Sequence, residues 1–195
     1  MENKRNQLVN SAIGLFIKHG IISVTMDEVA RASGMSKKTV YQYFANKGIL
    51  VEAVVDLLIK QGENIIRLNV DTANDPVQEL SLQQDLFNHL IALRYIFSDF
   101  ILKRYPRAFK AFQEFKTDYM KAFIETNLKH GVEKGLYHHN LDVPSTVNIY
   151  LSVTDFLVFN NSRNYADIFV ALNLFINGIT TANGRQLYAN YLKSS

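Results

Sequence analysis

With 195 residues, 48% of them hydrophobic, the chain can bury the core of one large domain or two small ones; having no cysteine, it forms no disulfide, thiol nucleophile or thiolate metal site. The formal net charge of +3 is unevenly placed: residues 1–50 hold seven Lys/Arg against three Asp/Glu, and the remainder hold 14 against 15. A basic head on a near-neutral body is the pattern of a polyanion-binding module joined to something else.

No run of about 18 apolar residues occurs, and the first residues, MENKRNQLVN, lack the apolar segment of a signal peptide. A cytoplasmic protein without membrane contact is expected. Residues 3–19 carry Leu8, Ala12, Leu15 and Phe16 at helical spacing and end at Gly20. Ile21, Ile22 and Val24 lead into Thr25, whose hydroxyl is placed to cap a second helix with Asp27 and Glu28 in its first turn. That helix stops at Gly34. Ser36 caps a third, with Val40 and Phe44 inward and Lys37, Lys38, Thr39, Gln42 and Tyr43 outward, none of them acidic. Tyr41, between Val40 and Phe44, is expected to be partly internal. Two short helices around a tight turn, the second bearing donors, form the arrangement that enters a DNA major groove.

Ala12, Leu15, Phe16, Gly20, Thr25, Val29, Ala30, Gly34, Ser36, Thr39, Val40, Tyr41, Tyr43, Phe44, Lys47 and Leu50 together resemble, in order and spacing, the N-terminal signature of the TetR family of transcriptional regulators. Ser33 and Met35 depart from that pattern, where Ala and a β-branched residue are more usual. The resemblance covers about a quarter of the chain. It implies that Thr25, Thr39, Tyr41, Tyr43 and Lys47 approach phosphates or support residues that do. By their own chemistry Lys37, Lys38 and Gln42 suit base edges, Lys donating to guanine and Gln pairing with adenine.

Asn46 is placed to cap a long connector helix that starts at Lys47 and reaches Ile65 or Leu68, weakened near its middle by Gly62. DTANDP, residues 71–76, reads as a polar turn with Pro76 opening the next helix. Residues 77–104 then read as one helix buried on several sides. Lys103, Arg104 and Arg107 flank Pro106, and basic side chains at a helix end complement its dipole, so no second nucleic-acid site is assigned there. Phe109, Phe112, Phe115, Tyr119 and Phe123 form an aromatic row on a helix running to Lys134. Gly131 and Gly135 end it, and Asp142 caps the next. Two very apolar helices follow, at 144–160 and 165–181, with a short terminal helix after them.

The fold expected is all-α: a three-helix DNA-binding head over 1–46, a connector helix and turn over 47–75, and a helical effector-binding and dimerisation body over 76–195. In the family it resembles, the equivalents of the last two apolar helices pair with those of a second copy, so a homodimer on a palindromic operator of double-stranded DNA is implied, with a repressor role. The body's aromatic surface fits a small apolar or aromatic effector, and His89, Arg94, Phe97, Phe112, Tyr119, Phe123, Asn127 and Asp155 are the candidate pocket residues. His130, His138 and His139 lack metal-ligand spacing, and no catalytic motif or cofactor loop occurs, so neither an enzyme nor a cofactor is expected. The alternative is a DNA-binding adaptor whose body binds a protein and has no small-molecule pocket.

Overall fold

The computed structural model describes residues 2–92, 96, 103–159 and 165–194. Its helices in chain order are α1 (Glu2–His19), α2 (Met26–Ser33), α3 (Lys37–Tyr43), α4 (Lys47–Thr72), α5 (Pro76–Ser81), α6 (Gln84–Ala92), α7 (Pro106–Glu114), a wider π-helical turn (Phe115–Met120), α8 (Lys121–Glu133), α9 (Val143–Phe159), α10 (Tyr165–Ile179) and α11 (Ala182–Ser194). Among the described residues there is no β-strand, only an isolated bridge between Tyr137 and Thr180. The fold is all-α.

Packing separates two compact units, Met1–Gln61 with Ala92–Glu114, and Gly62–Ile91 with Phe115–Ser195. In the first, Leu8, Ala12 and Phe16 of α1 lie fully buried with Ile21, Val40, Phe44, Leu50 and Val54. Leu15 is only half-buried, since the stripe that faces the core is 8–12–16. Thr25 caps α2 in a reciprocal box: the Glu28 N–H donates to Thr25 Oγ1 and the Thr25 N–H donates to the Glu28 carboxylate at 2.7 Å. Gly34 closes the helix at φ 67°, and its N–H and that of Met35 return to Arg31 and Ala30 carbonyls. The Gln7 amide donates to the Ser33 carbonyl, tying α1 to that turn, and the Arg5 guanidinium sits 5.3 Å from the centre of the Phe44 ring. Pro106 opens α7, whose Arg107 lies 3.9 Å from the Glu52 carboxylate, a loose and exposed pair.

In the second unit the helix limits depart from expectation. α4 continues to Thr72, so the polar turn shrinks to residues 73–75, and Asp75 caps α5 by accepting from the Val77 and Gln78 N–H groups. The single helix expected from residue 77 is broken at Leu82 and Gln83, because the buried Asn69 side chain takes the Leu82 carbonyl at 2.9 Å. The π-helical turn was not expected. It brings Phe115 against α4 at Gly62, where an added Cβ would stand 3.1 Å from the ring. Gly62 therefore serves a close approach as well as weakening the helix.

After α8 the chain reverses at Gly135, φ 67°, and Tyr137 folds back over Gly131. The Tyr137 hydroxyl lies 2.8 Å from the Pro76 carbonyl and 3.0 Å from Asn127 Oδ1, and Asn127 Nδ2 donates to Pro76 O and to Glu79. His138 N–H to Ile179 O and Thr181 N–H to Leu136 O then pin this loop to the start of α11. Asp142 caps α9 through Ser145. Between α9 and α10, Tyr150 packs on Phe175 at 5.3 Å and on Phe87 of α6 at 6.2 Å.

Candidate functional site

Two features carry recognition chemistry, one in each unit. The first is the exposed face of α3. Ser36 fixes its start, accepting from the Thr39 N–H at 3.1 Å, and the inward Val40 and Phe44 are fully buried, so the helix is held in a defined rotation. Lys38, Tyr41 and Gln42 are exposed, and Thr39 and Tyr43 half-buried. The expectation for Tyr41 was wrong: it is 49% exposed, since one residue beyond Val40 is a rotation of about 100° away from the core.

The face is also less purely basic than its sequence. Lys37 pairs with Asp27 of α2 at 2.5 Å, which offsets its charge locally. Lys47 donates to the Ile22 carbonyl at 3.0 Å and is half-buried; burial lowers the pKa of its ammonium, with Glu28 acting in the opposite sense. Its chain therefore anchors the loop before α2 to the first turn of α4, while Thr25 has its hydroxyl committed to Glu28. Asn46 caps α4 through the Ile49 N–H, as expected.

The second feature is a solvent-open cavity of about 370 Å³ in the second unit. Ile66, Arg67, Val70 and Asp71 of α4 form one wall, and Tyr119, Ala122, Phe123, Thr126, Asn127 and His130 form another, with Glu79 of α5 beside them. Of the candidate pocket residues, Tyr119, Phe123 and Asn127 meet here. His89 is half-buried on α6 and Phe112 is core of the first unit; neither lines the cavity. Asp155 pairs with Lys116 at 2.8 Å. Arg94 and Phe97 lie outside the described residues. The α4 wall was missed because the helix was ended too early, placing Asp71 in a turn. The α8 wall was half legible: continuing the Tyr119–Phe123 row by three and four residues reaches Thr126, Asn127 and His130.

Among the described residues no group of three His, Cys, Asp or Glu could hold a metal ion, and no helix is long and apolar enough to cross a membrane.

Residues 8–54 match the family model for bacterial regulatory proteins of the tetR family. Over 178 residues the chain is 22% identical to the HTH-type transcriptional regulator SrpR of Pseudomonas putida, covering 84% of this chain and 77% of that one. The head is therefore of the TetR type. It is matched again in IcaR of Staphylococcus aureus, a negative transcriptional regulator of a biofilm operon, at 28% identity over 94 residues; that match spans 47% of this chain and only 50% of IcaR. A transcriptional regulator from Saccharomonospora viridis, solved in complex with choline, has the same fold, with a TM-score of 0.81 at 15% identity over 93% of this chain and all of that one. The family and these relatives are regulators of transcription, not enzymes.

Proposed function

We propose that this protein is a TetR-family regulator, a ligand-responsive repressor that binds a palindromic operator as a homodimer. The observation that carries the DNA-binding part is the α3 face, capped at its start, locked by Val40 and Phe44, and presenting Lys38, Tyr41 and Gln42 to solvent. In this reading Lys38 and Gln42 read base edges, Lys37 joins them when DNA displaces Asp27, and Thr39, Tyr41 and Tyr43 approach phosphates. Thr25 and Lys47 position the head as much as they contact it. The role of IcaR as a negative regulator supports repression.

Dimerisation is supported by the surface of the last long helices. Ile149 and Phe156 of α9 are 56% and 61% exposed, and Leu174 of α10 is 69% exposed, an apolar area that a soluble chain covers with a partner. Response to a small molecule is supported by the cavity and by the choline complex of a regulator of the same fold. α4 contributes residues to both units, so a ligand against Ile66 and Val70 acts on the helix that begins beside α3. It releases DNA only if it favours one body conformation over another.

Footprinting on the DNA adjoining its own gene tests the reading. Two protected half-sites about one helical turn apart are expected, Gln42→Ala relaxing preference at particular bases and Tyr43→Ala weakening all sequences alike. A single unpaired site, or full affinity after both substitutions, rejects it.

A further inference from the structure

We infer that the effector taken by the cavity is a lipophilic organic cation, with Glu79 as its counter-charge. The inference rests on the ligand-responsive reading above and adds the ligand's chemistry. Three charged side chains, Arg67, Asp71 and Glu79, and the imidazole of His130 line the cavity. Arg67 and Asp71 stand one turn apart on α4, both exposed and of opposite charge. The Arg67 guanidinium is further committed to Asn64 Oδ1 at 3.0 Å. His130 is exposed on α8. Glu79 remains, a half-buried carboxylate held by a neutral donor, Asn127 Nδ2 at 2.9 Å, and by no Lys or Arg among the described residues.

The groups behind Glu79 bring it no positive charge. Asn127 and Tyr137 are buried and neutral, and the Pro76 carbonyl points its oxygen at both of them. Asp75 adds a second carboxylate, bonded to the Tyr191 hydroxyl rather than to a cation. A carboxylate taken partly out of water without a cationic partner leaves a charge that an incoming cation neutralises, whereas an anion adds repulsion and a neutral ligand gains nothing from it. The remaining lining suits a bulky apolar cation and not a small hydrated one. Ile66, Val70 and Ala122 are aliphatic, and the Tyr119 and Phe123 rings, 36% exposed and half-buried, offer electron-rich faces. The π-helical turn contributes by aiming Tyr119 across to α4, where its hydroxyl donates to the Glu63 carbonyl at 3.3 Å.

Calorimetric titration of the full chain with benzyltrimethylammonium, with the uncharged benzyl tert-butyl ether of nearly the same shape, and with phenylacetate tests the inference. The cation is expected to bind best. Glu79→Gln, which keeps an acceptor for Asn127, is expected to weaken the cation about tenfold and leave the ether unchanged, while Asp71→Asn has a smaller effect. Equal binding of cation and ether, tighter binding of phenylacetate, or a cation affinity indifferent to Glu79→Gln overturns the cation assignment while leaving a ligand-binding regulator intact. If none of the three binds, the assignment is also overturned, and operator release by a broad compound panel then decides the ligand-responsive reading on its own.

Discussion

Two buried tyrosines of the second unit stand in opposite situations. Tyr137 shares its hydroxyl between the Pro76 carbonyl and Asn127 Oδ1, whereas the Tyr150 hydroxyl, equally buried, has no hydrogen-bond partner among the described residues. Removing a bonded buried hydroxyl leaves its acceptors stranded, and removing an orphan relieves a desolvated group. Tyr137→Phe is therefore expected to lower stability by about 2 kcal/mol, and Tyr150→Phe to be neutral or stabilising by up to about 1 kcal/mol, read from urea denaturation. Burial, followed by Glu79 and Asp75, raises the Tyr137 pKa well above its ordinary value. The unfolded chain ionises this phenol near pH 10 and the folded chain does not, so its contribution is full below about pH 10 and is lost as the pH rises towards the folded value. The urea midpoint should fall less steeply above pH 10 in Tyr137→Phe than in the parent chain; parallel curves would refute the assignment.

At the scale of the element, helix starts were legible because capping is local. Thr25, Ser36, Asn46 and Asp142 each act within three residues of themselves, so spacing alone reveals them. Helix interruptions were not legible, because their causes lie far along the chain. The break after α5 depends on Asn69, 13 residues earlier, and the fold-back at Tyr137 on a carbonyl 61 residues away. Helical glycines make the same point. At Gly131 a Cβ would stand 2.0 Å from the Tyr137 ring, while at Gly14 nothing lies within 4 Å. Gly14→Ala should stabilise by about 0.5–1 kcal/mol through helix propensity alone. Gly131→Ala should destabilise by more than about 3 kcal/mol, because the ring can move only by giving up its hydrogen bonds. Thermal unfolding of the two variants separates them, and similar shifts would contradict the packing described for Tyr137.

For the whole molecule, the exposed apolar residues of α9 and α10 set a prediction on assembly. Leu174→Glu places a charge at the most exposed of them, and the variant is expected to sediment as a monomer at micromolar concentration and to lose most of its operator affinity, since one head alone forfeits the second half-site. A dimer that persists in Leu174→Glu would move the interface elsewhere. The sequence by itself determined the all-α class, the TetR-type head and its caps, and the orientation of Val40 and Phe44, because these depend on helical periodicity, on residues three or four apart, and on one contiguous motif of about 45 residues. Only the tertiary structure decided that Lys37 and Lys47 are partly engaged by Asp27 and Ile22, and that the cavity of the second unit is lined by Arg67, Asp71 and Glu79 and not by His89 or Asp155. Those outcomes depend on which side chains meet across separate helices, and no local pattern in the chain encodes such a meeting.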